Sequence, residues 1–248
     1  MRKALAPLLF LLALAAAAPA MPAAPAAGDP HLMIDSAGTA LPTTSGFSRL
    51  ELEPERDAYL YVPATLDASA PAPLVVVLHG AGGTAGPALQ MLQVEADRWG
   101  AILLAPQSRK LRWDAIEGGF GPDVAFISRA LSRVLASYRI DRGHIALAGI
   151  SDGATYALSL GLANGDLFGH VMAFSPGFVA PTRRVGMPRF YVSHGTQDKV
   201  LPIDECSRVI VPQLRGHGYD VQYDEFEGGH RLPPDLAARA MRRFLGPS

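Results

Sequence analysis

Midway along the chain an apolar run, Ala146-Leu147-Ala148, passes without interruption into Gly149-Ile150-Ser151-Asp152-Gly153 and on into Ala154, Thr155, Tyr156 and Ala157. A strand that turns this sharply into a helix belongs to a sheet joined by helical crossovers, and the two glycines leave space where a Cβ would meet neighbouring chain. The rest of the sequence repeats the theme. Short apolar runs at 73–78 (PLVVVL), 101–105 (AILLA), 144–148 (HIALA), 170–174 (HVMAF), 189–193 (RFYVS) and 220–226 (DVQYDEF) read as strands of a mostly parallel sheet. Segments of helical period at 87–99, 122–138, 153–162, 203–215 and 234–244 separate them, several opening on Pro or an acid as helix starts do. Residues 47–52 and 58–62 alternate with period two around Glu53-Pro54-Glu55-Arg56, predicting an antiparallel hairpin ahead of the parallel strands. The expectation is an α/β fold with an eight-stranded, mostly parallel sheet and helices on both faces. Residues 176–188 join two strands in about a dozen residues without a helical stripe, so no lid domain is expected there.

With 248 residues, 49% of them hydrophobic and 18% charged, the chain can bury one large core. A formal net charge of −1 gives no electrostatic reason to expect nucleic acid or an anionic membrane as partner. Residues 1–20 have the basic start (Arg2, Lys3), short apolar stretch and Ala18-Pro19-Ala20 end of a secretory signal, and Pro7 and Pro19 interrupt a run already shorter than the roughly 20 residues of a membrane span. The reading is export to the periplasm or beyond after cleavage, with no stable membrane span remaining. Residues 21–45, rich in Ala, Pro, Gly, Ser and Thr, read as a flexible leader, and residues 46–248 as the catalytic domain. The one cysteine, Cys206, has no partner for a disulfide within the chain and no glycine-rich turn to make it a nucleophile, so it reads as a semi-buried helix residue.

Ser151 is the candidate nucleophile, held above the sheet with a helix N-terminus behind it that favours developing negative charge. A second signal, Leu78-His79-Gly80-Ala81-Gly82-Gly83, follows a strand directly, and its side-chain-poor backbone can approach a substrate closely. The backbone N–H groups of Ala81 and Asp152 are the candidate oxyanion donors. A phosphate loop is excluded by the missing Lys-Ser/Thr, and His79 reads as a brace for the loop. Where a serine occupies such a turn, an acid and then a histidine follow it in sequence. Asp198 lies in the turn-rich loop after strand 189–193, whereas its rival Asp204 reads as a helix N-cap. His230, in Glu227-Gly228-Gly229-His230 after the last strand, is the candidate base, with His194 as its rival. Trp113, in the long loop after strand 101–105, reads equally as a tentative wall of the substrate pocket or as a packing residue. Asp123 reads as a helix start. No zinc motif occurs, and a serine–histidine–carboxylate set needs neither metal nor organic cofactor.

The motifs LHGAGG, GISDG, SHGTQDKVLP and EGGH, in this order across roughly Leu74 to His230, resemble those of phospholipase/carboxylesterase-like serine esterases of the α/β-hydrolase superfamily. They are also similar to the secreted polyhydroxybutyrate-depolymerase and feruloyl-esterase group. Those secreted relatives often carry disulfide cysteines, and the lone Cys206 favours the broader carboxylesterase group. The resemblance implies a Ser151–Asp198–His230 triad with Ala81 and Asp152 at the oxyanion hole. The expected substrate is a small-molecule or lipid-like ester, of short to medium acyl length because no lid segment is expected to build a long apolar tunnel. A peptidase or thioesterase on the same triad, or a catalytically silent binding protein, are the alternatives, and oligomeric state is left open.

Overall fold

The computed structural model describes residues 28–35, 44–180 and 182–246; the signal expected over 1–20 and most of the leader lie outside them. A single eight-stranded sheet runs in the order β1-β2-β4-β3-β5-β6-β7-β8. β1 (Gly46–Arg49) and β2 (Ala58–Val62) form the expected hairpin, and β2 pairs antiparallel with β4 (Ile102–Pro106). β3 (Ala72–Leu78), β5 (Ile140–Ile150), β6 (His170–Phe174), β7 (Arg189–Gly195) and β8 (Val221–Phe226) continue from β4 as parallel neighbours.

The apolar runs are continuous rather than alternating because helices cover both faces, and the core divides accordingly. One cluster gathers Leu74, Val76, Leu78, Leu147, Val171 and Val192; the other takes the intervening Val75, Val77, Ala146, Ala148 and Met172. α5 (Asp152–Ala163) is buried along its whole length, which explains its small residues. α7 (Pro234–Leu245) buries only Leu236, Ala237, Ala240, Met241 and Phe244, one stripe at helical spacing, and packs beside α2 against β5 and β7.

Four local features depart from the sequence expectation. The helix expected over 87–99 is two, α1 (Ala85–Gln90) and α2 (Gln93–Trp99). Met91 N–H bonds Ala88 O and Leu92 N–H bonds Leu89 O, a tightening to i−3 bonds that turns both Leu89 and Leu92 into the core. A short α3 (Asp114–Glu117) occupies the long loop before α4 (Pro122–Ser137). α6 (Ser207–Gly216) starts later than expected, with Cys206 at its N-cap position. Asp204 is therefore not the cap; it pairs with Arg208 at 2.7 Å. Finally, residues 28–35 of the expected leader are anchored. Leu32 N–H bonds Asn164 Oδ1 at 2.8 Å, Met33 N–H bonds Ser128 Oγ and Asp35 N–H bonds Ser132 Oγ. This arm covers α4 and the end of α5, and Leu32 is buried in the core.

His170, opening β6 at the sheet end opposite Ser151, is the clearest acid-sensitive group. Burial, then the nearby Arg189 and Arg243, push its imidazole down to about 4. The folded protein therefore resists a proton that the unfolded chain accepts below roughly pH 6.5, so this contribution to stability is present above that pH and is lost as pH falls towards about 4. We expect the melting temperature of His170→Phe to rise relative to wild type as pH is lowered through that window. A pH-independent difference between the two melting curves would refute it.

Candidate active site

The site is assembled at the C-terminal edge of the parallel strands. Ile150 closes β5 opposite Phe174 of β6, and Ser151 follows with φ 58° and ψ −122°. Such a conformation is costly for a residue with a Cβ and persists only where surroundings enforce it. Here they do: Ser151 N–H bonds Phe174 O at 2.9 Å, Ser151 O accepts Thr155 N–H, and α5 begins at Asp152. A Cβ on Gly149 would lie 2.3 Å from Gly153 O, and one on Gly153 would lie 2.1 Å from Leu78 O. The pentapeptide thus sets β5, β3 and α5 into close contact while turning the serine outward.

The loop after β3 runs beside this turn, since a Cβ on Gly80 would sit 3.4 Å from Ser151 Cβ. Gly82 N–H is taken by Leu111 O and Gly83 N–H by Gly80 O; Ala81 N–H makes no backbone hydrogen bond among the described residues. Asp152 N–H is likewise one of the donors that the first turn of a helix leaves free. His79 braces the loop: its Nδ1–H donates to Gly80 O at 2.7 Å, and Nε2 accepts from Ser108 N–H at 3.1 Å. Burial holds its imidazole below the usual range. Gln107 ties the same loop down through Gly83 O and Ala85 N–H.

Asp198 lies in the loop after β7, buried, and His230 in the loop after β8. His230 Nδ1–H donates to Asp198 Oδ2 at 2.7 Å, while Oδ1 of the same carboxylate accepts the N–H groups of Val200 and Leu201 at 2.9 Å each. Burial raises this carboxyl, but the Leu201 and Val200 amides and His230 outweigh it and leave it below the usual range. The two loops are locked together by Gln197 N–H to Gly228 O at 2.8 Å and by Gly195, where a Cβ would lie 2.4 Å from Gly228 O. Ser151, Asp198 and His230 thus occupy the ends of β5, β7 and β8 on one edge of the sheet.

His194, the rival base, is fully buried. Its Nε2–H faces Leu201 O at 2.8 Å and Asp198 Oδ2 at 3.2 Å, and Nδ1 accepts from Ser207 Oγ–H at 2.7 Å. It supports the acid from behind. Trp113 takes its packing alternative and is corrected as a pocket wall: it is fully buried, stacks on Tyr156 and donates its indole N–H to His79 O at 2.8 Å. Cys206 is buried, and burial pushes its thiol up rather than towards a thiolate. Asp123 sits in the first turn of α4, where burial pushes its carboxyl up to about 6. One residue that the sequence did not single out stands beside the turn: Arg112 forms a two-pronged ion pair with Asp152, Nε–Oδ2 2.6 Å and Nη2–Oδ1 2.8 Å. A cavity of about 640 Å³ under the 28–35 arm is lined by none of the candidate catalytic residues.

Comparison with known proteins finds esterases. A family model described as putative esterase matches residues 124–208. The probable feruloyl esterase C of Aspergillus oryzae is 30% identical over 158 residues, covering 60% of this chain and 57% of the relative. The putative esterase NocK of Nocardia uniformis subsp. tsuyamanensis is 29% identical over 157 residues, covering 54% of this chain and 42% of its own length. The chain thus spans about half the length of the curated relatives it matches. Among solved structures, esterase PE8 superposes with a TM-score of 0.59 at 25% identity, over 75% of this chain and 99% of that one. A ferulic acid esterase of Anaeromyces mucronatus superposes with a TM-score of 0.60 at 20% identity, over 87% of this chain and 99% of that one. The fold is that of the α/β-hydrolases.

Proposed function

We propose that this chain, a serine esterase of the α/β-hydrolase fold related to the feruloyl-esterase group, hydrolyses carboxylic esters through an acyl-enzyme on Ser151. The observation that carries the reading is the Asp198–His230 hydrogen bond at the sheet edge where Ser151 is held at positive φ. With Nδ1–H committed to Asp198, the other ring nitrogen of His230 is the one free to accept the Ser151 proton as the hydroxyl attacks the ester carbonyl. Asp198 stabilises the imidazolium, and the N–H groups of Ala81 and Asp152 receive the oxyanion. The alcohol leaves with the proton from His230, and water repeats the cycle on the acyl-enzyme.

Exposed apolar side chains on loops around this edge suit a small apolar acyl or alcohol group. Leu111 lies against Gly82 on the oxyanion side, and Phe178 and Val200 belong to the loops after β6 and β7. Among the described residues the connection between β6 and β7 holds no helix, which gives no support for a long tunnel and favours short to medium acyl esters as substrates. The export signal read in residues 1–20 belongs to the same proposal and predicts a mature N-terminus after Ala20.

Two measurements test this reading together. A fluorophosphonate probe should label wild-type protein at Ser151, and turnover of p-nitrophenyl esters should peak at short to medium chains and exceed turnover of matched thioesters and peptides. Absence of labelling would defeat the serine mechanism; faster turnover of long-chain esters than of butyrate would defeat the chain-length assignment.

A further inference from the structure

Three consecutive residues in the loop after β4 together bond both segments that present the candidate oxyanion donors. Leu111 O accepts Gly82 N–H at 2.8 Å, and the Trp113 indole N–H donates to His79 O at 2.8 Å. Ala81 lies between those two tethered residues. Arg112, between Leu111 and Trp113, instead reaches across to the other segment and grips the Asp152 carboxylate with both prongs. One short stretch therefore spans both halves of the oxyanion site.

The charge arrangement gives Arg112 a second task. Asp152 follows the nucleophile directly and its amide is a candidate donor, so its carboxylate, unpaired, would put negative charge on the segment that must receive the oxyanion. That carboxylate is nearly buried, with 9% of its side chain exposed, which makes its charge poorly screened. The planar guanidinium neutralises it and fixes its direction at once, a geometry lysine cannot reproduce.

We propose that Leu111-Arg112-Trp113 is a positioning clamp for the oxyanion site, in which Arg112 neutralises Asp152 and holds the Ala81 and Asp152 amides at their working separation. This rests on the esterase reading above. Arg112 acts through Asp152 rather than on the substrate, so its removal should lower kcat with KM nearly unchanged.

The test compares wild type, Arg112→Gln, Arg112→Lys and the double variant R112Q/D152N on a short p-nitrophenyl ester, with melting temperature followed in parallel. Arg112→Gln should lower kcat roughly tenfold, less than the 10²–10³ of losing a donor outright, with KM within about twofold. Arg112→Lys should fall between the two. Adding Asp152→Asn should recover much of the lost kcat, because it removes the charge left bare. A purely structural pair would show no such recovery. The clamp is overturned if Arg112→Gln leaves kcat unchanged, if its loss appears in KM, or if the double variant is no better than the single. An inert wild type that also fails to take the fluorophosphonate probe overturns the esterase reading and the clamp with it.

Discussion

Replacing His230 with Ala should lower kcat for a short ester by roughly 10⁴–10⁶-fold while leaving the fold intact, the scale found when a member of a nucleophile–base pair is removed. The size follows from the absence of a substitute base. His194 is the other histidine touching Asp198, but it is fully buried, and both its ring nitrogens are engaged, by Ser207 on one side and by Leu201 and Asp198 on the other. Releasing it would strip three partners from a buried ring, a cost that binding a substrate does not offset. Asp198→Asn should cost roughly 10⁴-fold, since an amide can donate to His230 Nδ1 and so favours the wrong tautomer. His230→Ala should melt close to wild type, its side chain being partly exposed at the sheet edge. Retention of more than a tenth of the activity by His230→Ala would sink the assignment.

The elements that were legible in the sequence are those with local signatures. β3, β5, β6 and β7 are continuous apolar runs because both faces are covered, and the turn at Ser151 announces itself by its two glycines, Gly149 forced by Gly153 O four residues on and Gly153 by Leu78 O at the end of β3. What was hidden depends on partners far along the chain. Asn164 receives Leu32 N–H across 132 residues, so nothing local in 28–35 distinguishes an anchored arm from a loose leader. Arg112 reads as an ordinary surface-loop arginine until Asp152, 40 residues on, is brought beneath it. Trp113 could not be placed for the same reason: whether a loop tryptophan faces solvent or core depends on the carbonyl and ring it meets, here His79 and Tyr156. Asp204 was misread as a cap because cap residues are recognised by type, and the chain tightens into turns before α6 begins.

Gly153→Ala should be strongly destabilising, although helix propensity alone would favour it by about 1 kcal/mol. The new Cβ would lie 2.1 Å from Leu78 O and 2.6 Å from His79 O, backbone atoms at the end of β3 that belong to the sheet and cannot swing aside. Gly161 offers the contrast: there the nearest atom, at 2.4 Å, is a Val171 side-chain carbon that a rotamer change can move. At Gly153 relief requires α5 and β3 to part, and overpacking that moves backbone costs about 3 kcal/mol or more. For a domain of this size that corresponds to a fall in Tm of roughly 6–12 °C. Gly86→Ala in α1 is the matched control, because a Cβ there meets nothing within 4 Å, and it should leave stability unchanged or slightly raised. The two glycines differ only in their surroundings, so equal melting temperatures for the two variants would refute the steric argument. Where Gly153→Ala remains folded, the displacement falls between Ala81 and Asp152, since these residues sit on the two segments being forced apart. The variant should then lose kcat beyond what its stability loss explains, measured well below its Tm.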